Sequence, residues 1–166
     1  MIIYEEIFNE FQTQKVKYVI VGGLAVNLLG SLRSTADLDL LVELSNKNLA
    51  KIVAILKKRG YRVKQPVDPM GIADKKIRED WIKNKHMKAF NFYKGERFWD
   101  EVDIIIDSPV TYAAARKNAI LVSVGHLKLP VISIDDLIKM KRRANRDVDR
   151  LDIKQLLDIK KMRGQR

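Results

Sequence analysis

The 166-residue chain has no cysteine, which excludes disulfides, thiolate nucleophiles and Cys-ligated zinc or iron–sulfur centres. No apolar run approaches the roughly 18 residues expected of a membrane-spanning helix. Met1-Ile2-Ile3-Tyr4 leads straight into Glu5-Glu6, without the basic stretch and long apolar core of a secretion signal. A cytoplasmic protein with no membrane partner is the expectation. Histidine is scarce as well: His86 and His126 have no partner at metal-ligand spacing and read as surface residues. There is no Gly-x-x-x-x-Gly-Lys-Ser/Thr, so this is no P-loop protein, and Val21-Gly22-Gly23 lacks the further glycine of a dinucleotide-binding fingerprint. Internal repeats and low-complexity segments are absent. The length fits a single domain, residues 1–166, and leaves no room for a separate helical acceptor-binding domain.

Positive charge is abundant. Thirty-two Lys and Arg against 21 Asp and Glu give a net charge of +11, with a pI near 9.8. Such a field attracts polyanions: a nucleoside triphosphate, an RNA acceptor or an acidic partner protein. Charge alone does not choose among them, and runs of lysine commonly form solvated surface.

The most informative stretch is Tyr18 to Glu43. Val16 to Val21 is short, apolar and β-branched, as a buried strand should be, and runs into Gly22-Gly23 and the helix-like LAVNLLG. Paired glycines let the backbone turn sharply and approach a ligand, and a following helix start offers unpaired N–H groups, which together make a phosphate cradle. A second strand, Asp37 to Val42, has a period of two that puts Asp37 and Asp39 on one face, roughly 6.6 Å apart along the strand. Crowded carboxylates repel unless a cation neutralises them, and Mg²⁺ favours such hard oxygen ligands. The alternative is a solvated strand end where nothing is crowded.

Hydrophobic-Gly-Gly, a helix, then Arg33-x-Thr35-x-Asp37-Leu38-Asp39 resembles the signature of the DNA polymerase beta-like nucleotidyltransferase superfamily in its minimal single-domain form. That superfamily carries a third carboxylate on a later strand, and Val102-Asp103-Ile104 is similar, with Asp107 the competing choice. Near the C-terminus, Asp136-Leu137-Ile138-x-Met140-Lys141 and then Arg146-x-x-Asp149-x-x-Asp152-Ile153 look like motifs of the nucleotidyltransferase-type (AbiEii-type) toxins of abortive-infection systems. Lincosamide nucleotidyltransferases are a more distant match. The resemblance implies a toxin–antitoxin setting and an ATP- or other NTP-binding cleft holding two Mg²⁺ ions, or Mn²⁺ in their place. It implies Asp37, Asp39 and Asp103 as metal-binding and catalytic residues, and Gly22, Gly23, Arg33 and Thr35 on the nucleotide side. Lys141 would supply a counter-charge to the triphosphate, unless it is a surface lysine on a basic helix. Arg146, Asp149 and Asp152 also suit a salt-bridge cluster at i, i+3 spacing that joins two helices.

The remaining patterns predict a supporting α/β (α+β) fold, a mixed and mostly antiparallel sheet with helices on one side. Ile3, Ile7 and Phe11 mark an amphipathic first helix, and Ser45 caps a helix with an apolar stripe of Leu49, Ile52, Val53 and Leu56, stopped at Gly60. Tyr61 to Lys64 reads as a strand, and Pro66 to Met87 as a long loop with one helical turn over Ile77 to Lys83, with Trp81 against the core edge. Lys88 to Tyr93 and Arg97 to Ile106 form one hairpin, turned at Lys94-Gly95-Glu96. Thr111 to Lys117 is a helix, and 121–132 a second hairpin in which Pro130 marks an edge. Two helices finish the chain, breaking near Asn145.

On this reading the chain is a metal-dependent nucleotidyltransferase. It moves a nucleoside monophosphate from an NTP to a hydroxyl on tRNA or other RNA, protein or a small molecule, releasing pyrophosphate. The alternative is a catalytically silent nucleotide- or RNA-binding module of a toxin–antitoxin pair.

Overall fold

The computed structural model describes residues 4–32, 35–95 and 100–164. Helix α1 (Glu5–Thr13) buries Ile7, Phe8 and Phe11 and leads into strand β1 (Tyr18–Val21) and helix α2 (Gly22–Leu28). Strand β2 (Leu38–Val42) follows, then α3 (Asn46–Lys58), where the Ser45 side chain accepts from the Asn48 N–H as a cap should. The chain leaves α3 through Gly60 at φ +85°, a left-handed stop open to glycine at little cost.

After β3 (Arg62–Val63), the stretch read as a long loop contains a 3-10 turn (Pro69–Ala73) and a full helix, α4 (Lys75–Asn84). The Asp74 carboxylate caps α4 by accepting from the Lys76 and Ile77 N–H groups. Its core positions are Trp81, stacked on Phe90 at 5.2 Å, and a buried arginine, Arg78, which donates to the Ile72 and Leu44 carbonyls. An arginine in a core slot hides the apolar period, so the sequence pattern underestimates this helix.

The hairpin strands are β4 (Ala89–Tyr93) and β5 (Glu101–Ile105), and the turn expected at Lys94-Gly95-Glu96 lies partly outside the described residues. Helix α5 (Tyr112–Asn118), strands β6 (Ile120–Val124) and β7 (Leu127–Val131), and helices α6 (Ile134–Ala144) and α7 (Asp147–Gly164) complete the chain. The break between α6 and α7 falls at Asn145, in the left-handed region at φ 50°.

Among the described residues, the seven strands join one sheet in the order β3-β4-β5-β2-β1-β7-β6. Four pairings are antiparallel and two, β2 with β5 and β1 with β7, are parallel. Strand β7 is therefore interior, which corrects the edge position expected from Pro130. Ile132 donates to the Ile20 carbonyl at 3.0 Å. Two residues earlier the same bond would need an N–H that Pro130 lacks, so the β1–β7 ladder is a single register pair, Ile20 with Val131.

Cross-strand partners share a sheet face. Ile20, Leu40, Ile104 and Phe90 form one row, all buried, and α1 and α4 pack on that face through the Phe8 and Phe11 contacts with Tyr18 and through Trp81 on Phe90. The opposite face carries the row Val21, Asp39, Asp103, Asn91. Helix α6 lies over that second face, where Leu137 and Lys141 line a cavity with Asp39 and Gly22. The helices thus occupy both faces, not one, and Asp39 lines a cavity with α6 instead of standing in open solvent. Among the described residues no helix is long and apolar enough to cross a membrane.

Candidate active site

Parity along β2 and β5 decides which carboxylates can meet. In the parallel β2–β5 ladder Asp39 is the direct register partner of Asp103, and on its other side Asp39 faces Val21, the last residue before Gly22-Gly23. Both glycines belong to the first turn of α2, and Gly22 has φ +66°. A Cβ at Gly22 would stand 1.8 Å from Asp39 Oδ2, so glycine is required both by the backbone conformation and by the carboxylate lying against it. The Gly23 N–H donates to that carboxylate. One amide of the expected phosphate cradle is thus spent on orienting Asp39.

Burial, the charge of Asp103 and then that of Asp37 push the Asp39 carboxyl up to about 6. Burial also raises Asp103, with Glu101 and Asp37 adding to the shift and a hydrogen bond from Asn91 opposing it. Two neighbouring carboxylates that both resist ionisation form a site whose charge a divalent cation would stabilise.

Asp37 lies exposed at the entry to β2, close enough for its charge to act on both Asp39 and Asp103. The segment before it is pinned by the buried Tyr4 hydroxyl, which is 2.6 Å from the Ala36 carbonyl and 2.9 Å from that of Glu101. Tyr4 thereby ties the approach to Asp37 to the start of β5. Thr35 is half-buried in the same segment, and Arg33 lies outside the described residues.

Asp107 is not beside Asp39. Beyond the end of β5, its carboxylate accepts from Arg143 of α6 at 2.8 Å, and this pair lines, with Asp39, a cavity of about 190 Å³. Ile105, Leu137 and Met140 give that cavity an apolar wall between the Asp39 end and the Asp107–Arg143 end.

Lys141 is no surface lysine. It is 4% exposed, with its Nζ 2.7 Å from Asp152 and 3.4 Å from Asp149, themselves 2% and 1% exposed. Arg146 donates from Nε to Asp149 at 2.8 Å and from a terminal nitrogen at 3.1 Å. The helix-joining cluster is therefore present, and it includes the lysine as well as the arginine. Its positive charge reaches the site: Lys141 opposes the rise at Asp39, and the Asp39 charge contributes to the raised Arg146.

Residues that sequence reasoning missed flank Asp103. Asn91, its register partner on β4, donates from Nδ2 to Asp103 Oδ1 at 2.7 Å, and Gln65 donates to Asn91 Oδ1 at 2.7 Å. The available signal was a lone amide in Ala-Phe-Asn-Phe-Tyr, between two buried phenylalanines and on the opposite face from them.

Among the described residues no group of three metal-ligating side chains stands ready around one point. The donor set nevertheless suits a hard divalent cation. It is all oxygen, two members are in register, and each carries a carboxyl raised by burial and like charge. Asp37, Asp39 and Asp103 are the residues that would hold it.

Acidic residues on adjacent parallel strands lie beside a glycine turn, in an architecture that is that of a nucleotidyltransferase. The chain belongs to the family described as "Nucleotidyltransferase of unknown function (DUF6036)", whose model matches residues 1–162. No curated protein matches it by sequence. Among solved structures it is similar to the lincosamide antibiotic adenylyltransferase LnuA, lincomycin-bound, at 18% identity and TM-score 0.62, covering 93% of this chain and 94% of that one. It is also similar to the antibiotic-resistance factor ANT(2'')-Ia in solution, at 14% identity and TM-score 0.60, covering 92% and 79% of the two chains. The crystal structure of ANT(2'')-Ia with adenylyl-2''-tobramycin gives 15% identity and TM-score 0.60, covering 96% and 92%. At these identities the structural likeness speaks for the fold, and the family match for the nucleotidyltransferase class.

Proposed function

We propose that the chain transfers a nucleoside monophosphate from a nucleoside triphosphate to a hydroxyl acceptor, releasing pyrophosphate, with divalent cations held by Asp37, Asp39 and Asp103. The observation that carries this reading is the Asp39–Asp103 register pair set against Gly22 and Gly23. Bound Mg²⁺ would supply neutralisation of the phosphate oxygens and activation of the acceptor hydroxyl.

The chain's own residues do the rest. Asp103, held above the usual carboxylate range, accepts the proton of the attacking hydroxyl. Gly22 keeps the backbone out of the space that Asp39 needs. Gly23 orients that carboxylate, and the rest of the glycine turn faces the phosphates. Arg33 and Thr35, in the segment before β2, contribute on the nucleotide side. Lys141 acts as a buried charge in the cavity wall, its ammonium tied to Asp149 and Asp152, so that it biases the field without leaving the wall. The apolar cavity between Asp39 and the Asp107–Arg143 pair takes the nucleoside. Most of the rate then comes from positioning and fixed charge.

One structural neighbour is named an adenylyltransferase and another is in complex with adenylyl-2''-tobramycin, which makes ATP the first donor to try. A net charge of +11 favours an anionic acceptor such as tRNA, in keeping with the resemblance to abortive-infection toxins. The test is incubation with each α-labelled NTP, Mg²⁺ and total tRNA or cell lysate. The proposal expects an EDTA-sensitive labelled product and pyrophosphate. Nucleotide binding without any label transfer would leave a silent binding module instead.

A further inference from the structure

Asp103 sits between two neighbours in its sheet row: Asp39 on β2 and Asn91 on β4. The Asn91 Nδ2 donates to Asp103 Oδ1 at 2.7 Å, while Asn91 Oδ1 accepts from Gln65 Nε2 at 2.7 Å. Gln65 closes the loop, its Oε1 accepting from the Asn91 backbone N–H at 3.3 Å. The Asn91 carbonyl accepts from the Lys64 N–H at 3.0 Å, so the β4 backbone is fixed beside the same residue.

An amide has a donor end and an acceptor end. Turning the Asn91 amide over would face its oxygen to the Asp103 carboxylate and its NH₂ to the Gln65 NH₂, two repulsions in place of two bonds. The relay therefore runs one way only, from Gln65 through Asn91 to Asp103. It occupies Oδ1 on the β4 side, so that Oδ2 is the oxygen left outside the relay.

We propose that Asn91 is a positioning residue, locked by Gln65, that decides which oxygen of Asp103 is presented to the cation and acceptor. This rests on the transferase reading, but its geometry can be tested apart from turnover. Partners that orient a metal ligand are worth roughly 10–100-fold in metal affinity or activity. Asn91→Leu removes the donor while filling a similar volume. Gln65→Glu is subtler: a carboxylate can only accept, so it draws the Asn91 NH₂ toward itself and turns the amide oxygen onto Asp103. Gln65→Met removes the lock without reversing it.

The experiment uses the full chain without nucleotide, with Mn²⁺ affinity read by electron paramagnetic resonance, thermal melting as the control for folding, and a crystal structure of Asn91→Leu. The expected result is a roughly 10-fold or greater loss of Mn²⁺ affinity in Asn91→Leu and Gln65→Glu, a smaller loss in Gln65→Met, and a rotated Asp103 carboxylate in the crystal. Wild-type Mn²⁺ affinity in a folded Asn91→Leu would overturn the inference, as would an unmoved Asp103 in its crystal structure. If the wild-type chain itself binds no Mn²⁺, the metal-dependent reading fails, and the Asp103 orientation in the variant still decides the role of Asn91.

Discussion

Replacing Gly22 by alanine puts a methyl group into the space of the Asp39 carboxylate. The added Cβ would lie 1.8 Å from Asp39 Oδ2, where real Cβ contacts stay beyond 3.0 Å, so the carboxylate must retreat. That retreat is on the order of 1 Å, a misplacement that costs roughly 100-fold in rate when the displaced group holds the reacting geometry. The backbone adds its own penalty. At φ +66° an alanine is strained by about 1–2 kcal/mol. Gly22→Ala should therefore fold, melt a few degrees lower than wild type, and transfer label from α-labelled NTP about 100-fold more slowly. Transfer at the wild-type rate would refute the contact between this turn and Asp39. A variant that fails in both assays to the same degree would mean that Gly22 matters to the fold and not to the site.

Asp39→Asn should abolish transfer yet stabilise the chain at neutral pH when EDTA is present. The folded-state carboxyl sits at about 6 and the usual value is 3.8, so the folded state holds the extra proton and wild-type stability falls as pH rises between those values. The melting temperatures of the two proteins should coincide below about pH 4, draw apart between about pH 4 and about pH 6 and keep a constant gap above that; a gap that does not change across that window would contradict the crowding at Asp39. Lys141→Met leaves Asp152 and Asp149 buried against a lost cation and should cost about 3–5 kcal/mol in urea unfolding. A loss below about 1 kcal/mol, the level of an exposed pair, would show that the lysine is not a structural tie. Trp81→Ala removes the ring stacked on Phe90, on the sheet face away from Asp39. It should cost about 3–5 kcal/mol with nucleotide binding unchanged, and weakened nucleotide binding in a folded variant would make Trp81 a base platform after all.

The acidic row was legible because its information is local. A period of two along Asp37-Leu38-Asp39 and around Asp103 assigns faces without any knowledge of neighbours, and Ser45, Gly60 and Asn145 announce helix ends through their own chemistry. Where the sequence misled, a long-range partner had replaced the local rule. Arg78 fills a core slot of α4 because the Ile72 and Leu44 carbonyls receive its guanidinium, so the helix shows no apolar stripe. Pro130 sits inside the sheet because its missing N–H only shortens the β1–β7 ladder to a single register pair, without breaking it. Lys141 looks like any lysine of a basic helix until Asp149 and Asp152 close over it. Asn91 and Gln65 could not be linked to Asp103 in advance, because the β3–β4–β5 register that aligns them is set across turns and not within one strand.

The choice of third carboxylate tests the account most directly. Asp103 pairs with Asp39 in the sheet, whereas Asp107 is held by Arg143 at the far end of the cavity. Label transfer from NTP should collapse in Asp103→Ala, with the protein still folded, and persist in Asp107→Ala. Persistent transfer in Asp103→Ala, with loss in Asp107→Ala, would contradict it.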